Sequence, residues 1–229
     1  MKIIVGPSEI NFNVHKAALC SGSAYFETCL SGRFSEGTQG PITFDDIDDK
    51  LFAYLVQWFY TRSLPNTGLG HASCEFTDYP ELYGLGDRLQ VKHGFKNAVI
   101  DAFRKMGRDR VIDEDVCGSI YKYAPERSGF RRLITSTMRH EIYSDSAHFN
   151  EPSKFVTPIG KLLDMYPLFA VQVVKEIMET NLADRCRSPV VLDPFGSSDG
   201  LVDPCTFHDH EPSETGLLCK SDRIPSSNV

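Results

Sequence analysis

A chain of 229 residues, 41% hydrophobic and 11% aromatic, can build one good core plus an appended unit, which excludes a chain disordered throughout. Its 24 basic against 31 acidic residues give a net charge of -7, which argues against attraction to phosphate backbones as the main activity and favours protein partners. Cys20, Cys29, Cys74, Cys117, Cys186, Cys205 and Cys219 show no paired spacing and fit reduced thiols; the N-terminus carries too short an apolar run for a signal peptide, and no window approaches a membrane span, so the chain reads as intracellular.

Ile3 to Val5 reads as a strand, Gly6 to Glu9 as a turn and Ile10 to Val14 as the returning strand. Phe12 and Val14 alternate with Asn11 and Asn13, the period of a half-buried strand, and from Val14 the apolar spacing becomes helical through Ala18 and Leu19. Ser21-Gly22-Ser23 interrupts that helix, and Ser23 can accept from the free N–H groups of a second one whose face is Tyr25, Phe26, Cys29 and Leu30. A glycine-rich loop through Gly32, Gly37 and Gly40 leads to a third strand at Ile42 to Phe44. The acidic run Asp45 to Asp49 lacks the glycine and closing Glu of a calcium loop and suits a helix N-terminus, with Asp48 as N-cap. Leu51, Phe52, Leu55, Val56, Phe59 and Tyr60 then form a helical stripe central to the core, with Trp58 at its margin.

Pro65 to Asp78 has no periodicity and reads as a surface connection. Tyr79 to Leu89, and then Phe95, Val99, Ile100 and Phe103, give two further helices separated near Val91 to Gly94. Gly84-x-Gly86 lacks the preceding strand and third glycine of a phosphate loop and fits close helix packing. Helices follow at Asp113 to Tyr123, capped by Asp113 or Asp115 with Val116, Ile120 and Tyr123 inward, and at Arg131 to Ile142; Arg127, Arg131, Arg132 and Arg139 read as a solvated helix face. A last stripe, Leu168, Phe169, Val173, Val174, Ile177 and Met178, starts beside Pro167 and is expected to pack back on these helices. From Asp184 repeated Pro, Gly and Ser break every element, and the composition is that of a disordered tail.

Catalytic constellations are weak. No Gly-x-Ser-x-Gly elbow, His-Glu-x-x-His or Walker loop is present, and the nearest nucleophile and base by sequence, Cys20 and His15, read better as structural residues. Cys205, His208, His210 and Cys219 have the form Cys-x2-His-x-His-x8-Cys, a spacing foreign to common zinc fingers in a stretch without a core, so neither metal nor cofactor is assigned and the chain reads as a non-enzyme.

The ordered run Phe12-x-Val14-His15-Lys16-x-x-Leu19-Cys20-x-x-Ser23-x-Tyr25-Phe26, supported by Phe34-Ser35-Glu36-Gly37, Trp58-Phe59-Tyr60-Thr61 and Leu82-Tyr83-x-Leu85-x-Asp87-Arg88-Leu89, resembles the BTB/POZ domain, particularly the versions in filamentous fungi. The resemblance implies an α+β BTB/POZ fold, a small sheet flanked by helices, over residues 1–107; an all-α extension follows over 108–183 and the tail over 184–229. It implies a protein–protein interaction module in the cytoplasm or nucleus with no direct nucleic-acid or membrane role. One concrete form is a substrate adaptor of a cullin-type ubiquitin ligase; the alternative is a scaffold or transcription-linked assembly protein without a ligase role. In cullin-binding members a hydrophobic-x-Glu triplet lies between the second helix and third strand, the place of Phe34, Ser35 and Glu36 here, which makes those three the candidate partner-binding residues. The chain starts at the hairpin, without the N-terminal segment that dimeric members exchange, so monomer or weak self-association is expected.

Overall fold

The computed structural model describes residues 1–31, 40–65, 74–107, 113–144, 164–183, 194 and 204–209. They fall into two compact units, Met1–Ile100 and Asp101–Val229.

In the first unit, β1 (Lys2–Val5) and β2 (Ile10–Asn13) pair antiparallel in the register Ile3 opposite Phe12 and Val5 opposite Ile10. Gly6, at φ 75°, supplies the left-handed turn between them, and its N–H donates to the Phe44 carbonyl at 2.8 Å. That bond also fixes β3 (Ile42–Phe44), which runs parallel to β1 with Ile3 opposite Ile42, giving the order β2-β1-β3. The three expected strand segments are therefore the sheet. Ile3, Val5, Ile42 and Phe44 turn inward, while β2 is largely exposed apart from half-buried Phe12, whose ring meets Phe52 edge-on at 5.0 Å.

Short helices α1 (Lys16–Gly22) and α2 (Ala24–Cys29) abut at Ser23, whose hydroxyl accepts from the Phe26 N–H, the capping that its position predicts. The break sits where a side chain would not fit: a Cβ at Gly22 would overlap the Phe59 ring. α3 (Asp49–Thr61) starts at Asp48, which accepts from Leu51 N–H at 3.0 Å, and ends at Arg62 in the left-handed region. Its buried face is Leu51, Phe52, Tyr54, Leu55, Trp58 and Phe59. Two expectations for it are corrected. Trp58 is buried against Phe95, and Tyr60 is half out of the protein, because the stripe through Leu51, Leu55 and Trp58 follows the helical repeat while a residue two turns beyond Phe52 has rotated off it.

α4 (Asp78–Arg88) and α5 (Phe95–Gly107) complete the helical layer, with Tyr79, Leu82, Tyr83, Leu85 and Leu89 buried alongside Leu19, Phe26, Leu55, Phe59, Phe95, Val99 and Ile100. Gly86 faces the Phe95 ring so closely that a Cβ would overlap it, the close packing that its glycine implies. The connection before α4 is less superficial than its composition suggests, since Pro65, Cys74 and Phe76 are buried; residues 66–73 are not among those described.

The second unit packs α6 (Glu114–Tyr123), α7 (Gly129–Ser144) and α8 (Pro167–Ala183), the all-α extension that the periodicity predicts. Asp113 caps α6 by accepting from the Val116 N–H at 2.9 Å. Val116, Cys117, Ile120, Phe130, Leu133, Ile134, Met138, Phe169 and Val173 are buried, and Phe103 meets Phe130 edge-on at 4.8 Å. Only part of the α8 stripe packs as expected, for Leu168, Val174 and Met178 are exposed. Arg131 is not on a solvated face: it donates from Nε to the Ala124 carbonyl and from a terminal nitrogen to the Tyr121 carbonyl, both at 2.8 Å, and lies over the Tyr121 ring. Within the breaker-rich 184–229 stretch, Pro204–Phe207 form a 3-10 turn with Phe207 and His208 buried, an order that the composition does not foretell.

Candidate protein-interaction site

Phe34, Ser35 and Glu36 lie outside the described residues, which resume on either side at Ser31 and Gly40. α2 runs into buried Leu30, whose N–H donates to the Phe26 carbonyl at 2.9 Å, and Ser31 donates from its hydroxyl to the Thr28 carbonyl at 2.8 Å. At the other end Ile42 is buried and enters the sheet beside Ile3.

The α1–α2 turn that leads to this segment is itself tied down. Lys92 N–H donates to the Gly22 carbonyl at 2.8 Å, Ala24 N–H donates to the Gln90 carbonyl at 3.1 Å, and Ser23 and Val91 form an isolated antiparallel bridge. His93 Nε2 donates to the Ser21 carbonyl at 3.0 Å, Trp58 donates to the Lys92 carbonyl at 3.4 Å, and the Lys92 ammonium pairs with Glu27. Gln90 and His93 take positive φ values of 47° and 64°, a conformation uncommon outside glycine that these bonds hold in place. The sequence marks 91–94 only as a gap between helices; nothing in its spacing announces this clasp.

His15 and Cys20, the nearest base and nucleophile by sequence, each meet a different partner. His15 donates its backbone N–H to the Tyr60 hydroxyl at 3.0 Å and brings Nδ1 within 2.7 Å of the same oxygen, whereas the half-buried Cys20 thiol faces the Phe26 carbonyl at 3.8 Å. The titratable cluster that sequence reasoning missed is Lys50, Tyr54, Cys74, Asp78 and Tyr79. Lys50 sits 2.8 Å from Asp78, whose hydrogen bond holds the ammonium well above the usual lysine range. Burial pushes the Cys74 thiol up to about 12 and raises Tyr54 and Tyr79 as well. A thiol held protonated in this way is a poor nucleophile, so the cluster joins the connection before α4 to α3 and stabilises the fold. On the surface, Arg88 grips Asp46 through both terminal nitrogens, at 2.6 and 3.1 Å, and its hydrogen bonds lower the Asp46 carboxyl.

Of the metal-like set in the C-terminal stretch, His208 Nε2 lies 2.9 Å from the Asp101 carboxylate; His210 and Cys219 are outside the described residues, and of Cys205 only the backbone is described. Cys20, Cys29, Cys74 and Cys117 are reduced thiols.

Residues 2–100 match the family model of the BTB/POZ domain, and the three-stranded sheet with its flanking helices is the fold that this match implies. A BTB/POZ domain is a protein–protein interaction module, which gives the first unit its function class. No curated protein matches the chain.

Proposed function

We propose that the BTB/POZ domain of residues 2–100 docks a cullin-type scaffold through the segment carrying Phe34, Ser35 and Glu36, and so serves as a substrate adaptor of a ubiquitin ligase. The observation that carries this reading is positional: in sequence the triplet falls between Leu30, the buried C-cap of α2, and Ile42, buried at the start of β3. An aromatic anchor of this kind can dominate interface energy once a partner's pocket removes it from water, and Glu36 adds orientation through hydrogen bonds. The protein acts inside the cell, in the cytoplasm or nucleus, and performs no catalytic step of its own; the protonated Cys74 and the separately engaged His15 and Cys20 support that part.

The test is binding of the purified full chain to a cullin N-terminal domain, alone and with Phe34→Ala and Glu36→Ala. Binding at tens of micromolar or tighter, weakened roughly tenfold or more by Phe34→Ala in a folded protein, supports the adaptor reading. Unfolding of Phe34→Ala would instead give Phe34 a core role. If the unmodified protein does not bind, the domain is the scaffold or assembly module without a ligase role.

A further inference from the structure

The strongest unassigned constellation is in the second unit, where three consecutive residues each meet a chemical counterpart. The Phe207 side chain is buried beneath the Arg104 guanidinium, 5.3 Å from its ring centroid. The His208 side chain is fully buried and places Nε2 at 2.9 Å from the Asp101 carboxylate. The Asp209 carboxylate accepts from the Gly129 N–H at 2.7 Å, at the start of the sixteen-residue helix α7, and lies 3.5 Å from Arg132, which also donates to the His208 carbonyl at 3.1 Å. Arg104 is itself buried and is steadied by donating from Nε to the Pro194 carbonyl at 2.8 Å.

We infer that Asp101, Arg104, Gly129 and Arg132 form a peptide-recognition site for a short aromatic–His–Asp segment, which this chain fills with its own Phe207-His208-Asp209. Each position selects by a different interaction. A guanidinium over a desolvated ring favours an aromatic residue, a carboxylate selects the imidazole, and the first N–H of a helix together with Arg132 selects a carboxylate. The receptor groups lie on α5 and α7, which pack through Phe103 against Phe130, whereas the occupant is a four-residue 3-10 turn and the two residues after it in a breaker-rich stretch. The receptor side thus belongs to the helical core and the occupant reads as its ligand. This inference is independent of docking by the first unit.

An occupant tethered in the same chain competes at a millimolar-scale effective concentration, so the site binds a free peptide only when the tethered copy is weakened. The experiment uses the full chain, unmodified and as Phe207→Ala/Asp209→Ala, with a labelled, end-blocked peptide of residues 204–209 read by fluorescence anisotropy. The double variant binds the peptide about tenfold or more tightly than the unmodified chain does, and a scrambled peptide binds neither. A double variant with unchanged helical circular dichroism that fails to bind overturns the inference, as does equal binding by both proteins. Should that variant not fold, Asp209→Ala alone, which removes the acceptor of the Gly129 N–H, is read instead by amide exchange at Gly129. Exchange about tenfold faster is expected, and unchanged exchange overturns the inference.

Discussion

Ser23 and Leu89 are joined by a buried hydrogen bond in which the Ser23 hydroxyl donates to the Leu89 carbonyl at 2.5 Å while accepting from the Phe26 N–H at 3.2 Å. One side chain thus caps α2 and binds the exit of α4, 66 residues away in sequence. Ser23→Ala removes the cap and leaves a buried carbonyl without its donor. Together these are expected to destabilise the first unit by about 1–3 kcal/mol. Trp58 is the chain's single tryptophan and is buried in that unit, so urea unfolding followed by its fluorescence reads the change. An unshifted midpoint would remove Ser23 from this role.

Gly22 and Phe59 form a matched pair. In an open helix Gly→Ala would stabilise, by up to about 1 kcal/mol, but here the added methyl overlaps the Phe59 ring and overpacking of about 1–3 kcal/mol should prevail. Phe59→Ala alone should lose about 3–5 kcal/mol from a buried ring that also meets Phe26 edge-on. Because the Gly22→Ala methyl would enter the space left by Phe59→Ala, the double variant should be more stable than the sum of the two single changes predicts. Simple additivity would show that the two sites do not share that space.

These elements show what sequence can convey. The change of apolar period at Val14, the breaker at Gly22 and the caps Ser23, Asp48 and Asp113 are local signals, and the local geometry follows them. Leu19, Phe26, Leu55, Phe59, Leu85 and Leu89 were identifiable as core because each sits on a periodic face, and all are buried. Trp58 and Tyr60 exchanged places because a stripe counted over three turns drifts around the helix. The 89–94 clasp, the Lys50–Asp78 pair and the docking of Phe207-His208-Asp209 depend on partners dozens to over a hundred residues away, and a single sequence carries no spacing rule for such pairs. The Phe34, Ser35 and Glu36 proposal still rests on sequence position and resemblance, with its flanking residues Leu30 and Ile42 described in the fold.

Alkaline pH should destabilise the first unit, and Cys74 sets the window. The thiol has its ordinary value at 9.0 and is pushed up to about 12 in the folded protein, principally by burial. Between those values the unfolded chain has released the proton and the folded chain has kept it, so stability from this group is complete below pH 9 and falls as pH rises toward 12. Tyr54 and Tyr79, raised by burial, and Lys50, raised by its bond to Asp78, act in the same direction. Cys74→Val removes one of these protons, so its stability should fall less steeply over the window when Trp58 fluorescence is followed in urea. Parallel curves would show that Cys74 does not contribute.

The acid side depends on Asp46. Its carboxyl is lowered by the hydrogen bonds from Arg88, so its contribution is present above the ordinary carboxylate value of 3.8 and disappears as pH falls through the lowered one. Both side chains are largely exposed, which limits the pair to about 0–1 kcal/mol and makes it sensitive to salt. Asp46→Asn should therefore lower stability slightly at neutral pH and low salt and match the unmodified protein in strong acid. A difference that persists in acid would assign the effect to packing.

Arg131 gives the sharpest test of the helical unit, because its guanidinium closes the end of another helix. α6 terminates at Ala124, and the Tyr121 and Ala124 carbonyls, which no further helical turn can satisfy, accept from the Arg131 terminal nitrogen and Nε at 2.8 Å while the guanidinium lies 4.5 Å from the Tyr121 ring centroid. This arrangement needs two donors at a fixed spacing on a planar cation. Lysine keeps the charge and much of the apolar stem but places a single ammonium there, so Arg131→Lys should lose one of the two carbonyl bonds and the stacked geometry, about 1–2 kcal/mol. Arg127 is exposed, so Arg127→Lys serves as the control with the same change of chemistry and an expected effect within about 0.5 kcal/mol. Thermal unfolding followed by helical circular dichroism separates the two, with a lowered transition for Arg131→Lys alone. Equal, small effects at both positions would return Arg131 to the solvated face that its sequence suggests.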